Sequence, residues 1–318
     1  MIRFLIVWTV FSVKSCLIPF KKGYENLSHY GISSFRFLLR RGYIVPVLLI
    51  AKLGCRIGVF GRKYRNQNKV ATQNYRSLVE TNGNVDARWA AIQRFILEEA
   101  ATWGQNRQIM AQLQACILAL DSVVAPLHQQ NKPIVLAPLH MVSDVLATIV
   151  GSGVTPGNAT VVVSSSAEQQ KYNASARELG QVNLSYCSIH QDNKSLATQL
   201  MTLMTETATG QKNMIVFPDI TPDYTIQTEE GMSSKLSCQL FGRAAKLHNG
   251  VVRLSNAISA QVVFYHLYYQ NGLKIKIYPP IAAKDVAAQM PVIIENSIRE
   301  YPNDWLLWHS HSLYFISH

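Results

Sequence analysis

The sequence predicts an α/β fold in which a mixed central sheet is flanked by helices and preceded by an N-terminal helical section that contacts a membrane. Two observations carry this prediction. From residue 134 onward, short apolar runs of strand length alternate with segments of helical length, which is typical of a sheet covered by helices. The first 65 residues instead combine apolar runs with the net positive charge of the chain. We therefore expect a membrane-associating segment at residues 1–65 and an α/β domain at residues 66–318.

The positive charge is concentrated at the N-terminal end. Residues 1–65 hold twelve of the 30 Lys and Arg residues but only one of the 19 acidic residues, Glu25, which accounts for the whole formal charge of +11. Apolar surface edged with cations is typical of a segment that lies on an anionic membrane face. Nucleic acid is not an expected partner, because basic nucleic-acid segments rarely interleave their charges with apolar runs such as 2–13 and 43–50.

Neither apolar run of the N-terminal segment is long enough to be a clear membrane span. Lys14 ends the first run, while Pro46, Lys52 and Arg56 interrupt residues 43–60. A spanning helix needs about 20 consecutive apolar residues. We predict interfacial or partly inserted helices here, with a tilted N-terminal span as the alternative.

No metal site or disulfide framework is expected. The five cysteines include no C-x-x-C pair, and reduced thiols in a protein facing the cytoplasm fit their scattered positions. The histidines outside the site discussed below also lack metal-ligand spacing. We expect these to be structural: His248, His266, His309 and His311.

The front half of the chain is predicted to be helical. Residues 35–60 form one or two surface helices, and residues 61–69 form a polar, basic joint. A helix opens at Asn74, and Asp86 caps the next helix, because an aspartate can accept hydrogen bonds from the free N–H groups of a first turn. A further helix spans residues 107–127, with its end near Pro126.

The second half alternates strands and helices. Strands are predicted at 134–137, 159–164, 184–189, 214–217, 261–269 and 273–278. Helices are predicted at 141–150, 174–180, 194–207, 251–257 and 286–299. The Asn271-Gly272 pair predicts a hairpin turn between the last two strands. Residues 231–240 are polar and rich in serine, and we expect them to be mobile.

The first predicted strand leads to a candidate catalytic pair, His140 and Asp144. Pro138 ends the strand, and residues 141–150 can form a helix because they contain no breaker. If His140 begins this helix, Asp144 lies one turn above it on the same face. A carboxylate in that position can fix the tautomer of the ring and raise its basicity, as a general base requires. The pattern also fits a core histidine beside a surface aspartate, which a single pair at this spacing more often is.

Several blocks of sequence carry a resemblance. They are residues 140–144, Phe217-Pro218-Asp219, the run QLFGRAA at 239–245, the strands at 261–265 and 276–280, and the run YPNDWLLWH at 301–309. In this order they resemble the bacterial lipid A late acyltransferases, which belong to the wider lysophospholipid acyltransferase superfamily. The resemblance covers the chain from about residue 35 to its end. It implies an acyltransferase fold, a membrane glycolipid or lysolipid acceptor, and an acyl carrier protein as partner.

One departure from the family pattern concerns the catalytic pair. The family separates its histidine and acid by four residues, whereas three lie between His140 and Asp144, so the expected acid position is Val145. Either a local shortening presents Asp144 equivalently, or another group does the acid's work, or the pair is degenerate.

Under this resemblance, His140 removes the proton from the acceptor hydroxyl, which attacks a thioester on the carrier protein's phosphopantetheine, while Asp144 orients the ring. No other cofactor and no metal is expected. Ser143 is a rival nucleophile that lacks a glycine elbow. Substrate-binding residues are then expected from this list: Arg243 as an anion clamp at a corner with Gly242, Asp219 positioning that arginine or the acceptor, and the weaker anion-site candidates Arg177 and Lys246.

Two other functions stay open. The same scaffold can transfer an aminoacyl group, such as glycyl, from a carrier protein to lipid A. Alternatively, the protein is a catalytically silent membrane protein that binds lipid. In each case the expected location is the cytoplasmic face of the bacterial inner membrane.

Overall fold

The computed structural model of the protein describes residues 33–163, 183–188, 193–220, 235–310 and 316. The predictions for residues 1–32, for the helix at 174–180 and for Arg177 lie outside these residues. Helices lie at 33–40 (α1), Ile44–Arg56 (α2), Arg65–Val79 (α3), Ala87–Ala101 (α4), Arg107–Gln129 (α5), Asp144–Gly153 (α6), Asn193–Ala208 (α7), Gly250–Ala257 (α8) and Val286–Glu300 (α9). Strands lie at Ile134–Pro138 (β1), Asn158–Val163 (β2), Asn183–Ser188 (β3), Asn213–Ile215 (β4), Lys235–Leu240 (β5), Arg243–His248 (β6), Gln261–Tyr269 (β7), Leu273–Ile277 (β8) and Ile281–Ala282 (β9).

The predicted mixed α/β architecture is confirmed for these residues. A seven-stranded sheet has the order β3-β2-β4-β1-β7-β8, and β9 also pairs with β7. Five neighbouring strands of this sheet are parallel, namely β3, β2, β4, β1 and β7, whereas β8 and β9 run antiparallel to β7. Because parallel neighbours end at the same edge, the segments that follow β1 and β4 emerge side by side, next to the later residues of β7.

Helices cover both faces of the sheet, and β1 shows how. All five of its residues are buried. Ile134 and Leu136 face the core on one side, while Val135 and Ala137 face the core on the other, since successive side chains of a strand point to opposite faces. A strand buried on both faces has a continuous apolar sequence, which is why this run could be predicted.

The described part of the N-terminal segment packs against this domain. Leu39, Ile44 and Leu48 are buried in the same core cluster as Leu97 of α4. The outer side of α1, α2 and the turn after them is apolar and exposed. Its members are Phe37, Leu38, Tyr43, Val45, Leu49, Ile50, Leu53, Ile57, Val59 and Phe60.

Among the described residues, one helix, α5, has the length and apolar composition that crossing a membrane requires. One side of α5 is buried in the core, through Ile109, Leu113, Leu120 and Val124. A core helix of a soluble domain passes the same test, so this finding does not indicate a span.

Several expected boundaries were wrong. Helix α3 begins at Arg65 rather than Asn74, and α5 continues through Pro126 to Gln129. The polar segment expected to be mobile contains β5 from Lys235 onward, paired with β6 in a hairpin. Its two-residue turn has Phe241 at φ +54° and Gly242 at φ +72°, the left-handed conformation that tight hairpins require.

Candidate active site

His140 lies two residues after β1, where the chain makes a short irregular turn before α6. The N–H of Leu139 donates to the carbonyl of Tyr265 on β7, 3.0 Å away, which extends the sheet by one bond. Val142 has φ +58°, and Ser143 then caps α6 by accepting the N–H of Leu146 at 3.1 Å. Helix α6 therefore begins at Asp144. The predicted helical start near residue 141 was wrong, so His140 and Asp144 do not share a helical face.

The side chain that contacts the His140 ring is Asp219, four residues beyond β4. The distance between Nδ1 of His140 and Oδ1 of Asp219 is 2.8 Å, and the backbone N–H of His140 donates to Oδ2 at 3.0 Å. Asp219 is 1% exposed, whereas 17% of the histidine side chain remains accessible. The ring of Phe217 packs against the imidazole, with 4.3 Å between ring centroids. Parallel pairing of β1 and β4 brings these two segments together.

This contact fixes the tautomer of His140. An ionised carboxylate only accepts hydrogen bonds, so Nδ1 carries the proton and Nε2 keeps its lone pair in the neutral ring. No hydrogen bond to Nε2 is present among the described residues, and the ring is partly exposed. Nε2 is thus available to accept a proton from a bound molecule.

The electrostatic surroundings favour protonation of the ring. Burial alone lowers the pKa of His140, but the charge of Asp219 and its hydrogen bond outweigh that effect, so the pKa is raised above the ordinary value of 6.5. Asp144 adds a smaller contribution in the same direction through space, and Arg94 opposes it. The ring is therefore a stronger base than a free imidazole.

Asp144 has a different partner. Its Oδ1 lies 2.6 Å from a guanidinium nitrogen of Arg94 on α4, which also contacts Glu98 at 2.8 Å. Glu98 in turn accepts a hydrogen bond from Ser143 Oγ at 2.7 Å. Burial raises the pKa of Glu98, against the effect of Arg94. The prediction that Asp144 orients the ring is corrected: it belongs to an ion-paired cluster that ties α4 to the start of α6.

The segment at 301–309 closes the site on the side of Asp219. The indole N–H of Trp305 donates to Asp219 Oδ2 at 2.9 Å. The N–H of Leu306 donates to the carbonyl of His140 at 2.9 Å, and the N–H of Val142 donates to the carbonyl of Asp304 at 2.8 Å. The resemblance included this block but assigned no role to Trp305. Arg94 and Glu98 carried no signal in the sequence beyond their charge.

The expected anion clamp is not part of this site. Arg243 is the first residue of β6 rather than part of a loop, and it donates to the carbonyl of Ser77 on α3 at 2.8 Å. Gly242 forms the hairpin turn. Asp219 contacts His140 and Trp305 rather than Arg243, so its expected role toward that arginine was wrong, while its positioning of an acceptor stays a prediction. Lys246 lies on β6, paired with Ser237.

The arrangement can remove a proton from a bound hydroxyl, with the charge that forms on the ring stabilised by a buried carboxylate. Among the residues that the structure describes, no group of three or more His, Cys, Asp or Glu side chains is arranged to hold a metal ion. No protein-family model matches this chain, and no curated protein matches it in a sequence search.

Proposed function

We propose that this protein is a membrane-associated acyltransferase that moves an acyl group from a carrier-protein thioester to a hydroxyl of a lipid A-type glycolipid or a lysolipid. The supporting observation is the pair of His140 and Asp219, which leaves Nε2 unprotonated and accessible at the edge of the sheet. The sequence blocks that resemble the lipid A late acyltransferases support the substrate class.

The proposed step is a direct transfer. Nε2 of His140 accepts the hydroxyl proton as the oxygen bonds to the thioester carbonyl carbon. The carbon–sulfur bond then breaks, and the departing thiolate takes the proton from the imidazolium. Asp219 stabilises that imidazolium. No covalent enzyme intermediate is needed, and Ser143 is unsuited to form one, because it is fully buried and its Oγ is held between Glu98 and the N–H of Leu146.

Membrane association is supported by the exposed apolar side of α1 and α2. Ten large apolar side chains are exposed between residues 37 and 60, and Arg40, Arg41, Lys52 and Arg56 lie among them. A soluble surface rarely carries so large an apolar area, and the cations suit an anionic bilayer. We propose that this surface lies on the cytoplasmic face of the bacterial inner membrane.

Helix α4 connects this surface to the site. Arg94 and Glu98 reach the cluster beside His140. Their neighbours Phe95 and Glu99 contact Phe35 and Arg36, by ring stacking at 5.9 Å and by an ion pair at 2.7 Å. A lipid acceptor at the bilayer surface would thus meet the helix that borders the site.

The deciding experiment compares the intact mass of lipid A from cells with the gene, without it, and with His140→Ala. A fatty acyl increment that needs the gene and His140 supports the proposal. A glycyl increment would assign aminoacyl transfer instead. Unchanged lipid A, together with no transfer from acyl carrier protein to lysolipid by the purified protein, would favour the silent lipid-binding alternative.

A further inference from the structure

The carboxylate of Asp219 is held from three directions, and one of them comes from the far end of the chain. Two of its hydrogen bonds involve His140, through the backbone N–H and Nδ1. The third is donated by the indole of Trp305, 86 residues beyond Asp219. Both partners are almost fully buried, at 1% and 2% exposure. A charged hydrogen bond in such surroundings is strong, because little water competes for it.

The packing around Trp305 fixes the direction of its N–H group. Its ring meets that of Trp308 edge to face, at 4.8 Å and 88°. Trp308 meets Tyr75 of α3 in the same way at 5.2 Å, and Asn74 of α3 donates to the carbonyl of Trp308 at 2.9 Å. Helix α3 and the segment at 301–309 therefore hold the indole in one orientation, with its only donor aimed at Asp219.

We propose that Trp305 is a positioning residue whose indole N–H shares the carboxylate of Asp219 with His140 and thereby limits the basicity of the ring. The catalytic part of this proposal rests on the proposed function. The indole N–H stabilises the negative charge of the carboxylate, so less of that charge is available to the imidazolium. Removing the donor leaves a carboxylate that attracts the proton on His140 more strongly. A purely structural tryptophan has no such effect on the ring.

The test is an NMR titration of His140 in the full-length protein in detergent micelles, labelled in its histidine rings and assigned with His140→Gln. In Trp305→Phe we expect the titration midpoint of His140 to rise by roughly half a pH unit or more. In Asp219→Asn we expect it to fall. Trp103→Phe is the matched control, because it removes an exposed indole that packs on Arg36 and makes no contact with Trp305 or Asp219 among the described residues. We expect it to leave the midpoint unchanged.

A second measurement needs no substitution at Trp305. In the unaltered protein, the indole proton of Trp305 is expected to titrate with the midpoint of the His140 ring, because both bind one carboxylate, while that of Trp308 does not. An indole signal of Trp305 that ignores the His140 titration would overturn the proposal. So would a midpoint in Trp305→Phe that stays in place or falls.

These readouts do not depend on turnover. If the midpoints move as expected but no acyl transfer is found, the proposed function fails and the positioning of Asp219 stands. If acyl transfer is found, the acid limb of its pH profile is expected to move upward in Trp305→Phe, together with the NMR midpoint. If acyl transfer is found but neither the acid limb nor the NMR midpoint moves in Trp305→Phe, Trp305 is not a positioning residue and the proposed function stands.

Discussion

Two histidines at the same edge of the sheet, one partly exposed and one fully buried, have opposite properties. His140 follows β1, and His266 lies in β7, the parallel neighbour of β1. Burial lowers the pKa of both, but Asp219 outweighs it at His140, whereas the pKa of His266 falls to about 4. His266 is fully buried, and within the part of the chain that the structure describes neither of its ring nitrogens has a side-chain hydrogen-bond partner. One bonded carboxylate thus separates a candidate base from a ring that stays neutral.

The surroundings of His266 explain its neutrality. Its ring lies among Tyr268, Tyr278 and Tyr301, with centroid distances between 5.4 and 6.3 Å. Aromatic rings compensate little for the hydration that a charged imidazolium loses on burial. Burial at this edge therefore does not create a base; the carboxylate that follows β4 does.

The largest expected effect comes from removing the paired ring. His140→Ala is expected to lower turnover by ~10²–10⁴-fold while leaving folding and vesicle binding intact, because only the proton transfer loses its acceptor. Initial rates of transfer from an acyl-carrier-protein thioester measure this. The matched control is His128→Gln, at the opposite end of the sheet, where the histidine contacts Asn213. Wild-type rates in His140→Ala would remove the dyad from catalysis.

The second effect tests which acid supports the ring. Asp219→Asn is expected to lower turnover by roughly 10–10³-fold, because an amide cannot stabilise the imidazolium and cannot accept from His140 and Trp305 on both of its atoms. Asp144→Asn is expected to cost less than ten-fold, since Asp144 pairs with Arg94.

The pH dependence of turnover also tests which acid supports His140. His140 acts as a base only when neutral, so turnover is lost as pH falls through its pKa, which Asp219 holds above 6.5. Asp219→Asn is expected to move this acid limb to lower pH. If Asp144→Asn moves the limb further than Asp219→Asn does, the assignment of the partner is wrong.

A third effect concerns the contribution of His266 to the pH dependence of the free energy of unfolding. His266 binds a proton near pH 6.5 in the unfolded chain and near pH 4 in the folded chain. Its contribution to the free energy of unfolding is therefore complete above pH 6.5 and declines as pH falls toward 4. The expected loss is on the order of 3 kcal/mol. His266→Phe is expected to flatten this decline in urea unfolding at pH 7 and pH 4.5. An unchanged slope would mean that other groups dominate the acid response.

The smallest effect is expected away from both histidines. Arg243→Lys keeps the charge, and the bond to the carbonyl of Ser77 is structural, so we expect turnover within about two-fold of the wild type and a stability loss of about 1 kcal/mol or less. Steady-state rates and thermal melting measure the two. A ten-fold loss of turnover in a fully folded variant would restore Arg243 as an anion-binding residue.

The sequence contained enough to predict the sheet and to place His140 just after its first strand, but not to predict the partner of the His140 ring. Continuous apolar runs such as 134–137 predict buried strands directly. The helical spacing rule, however, reports only on residues within a turn, and Asp219 lies 79 residues from His140. The β5–β6 hairpin was missed although Leu236, Cys238 and Leu240 alternate with polar residues, because its Phe-Gly turn lacks the usual Asn-Gly signal.

The left-handed backbone of Val142 has a consequence for how active-site motifs are counted. A β-branched residue seldom adopts φ +58°, and here burial and the bond to the carbonyl of Asp304 hold it there. Because Val142 is not helical, the direction of a side chain in α6 cannot be obtained by counting helical turns from His140. Moving the acid by one position, as in Asp144→Ala with Val145→Asp, therefore changes which side of α6 is charged and leaves the ring with the partner that the sheet supplies. A motif defined by its His-to-acid interval and a dyad defined by strand pairing can vary separately in chains of this fold.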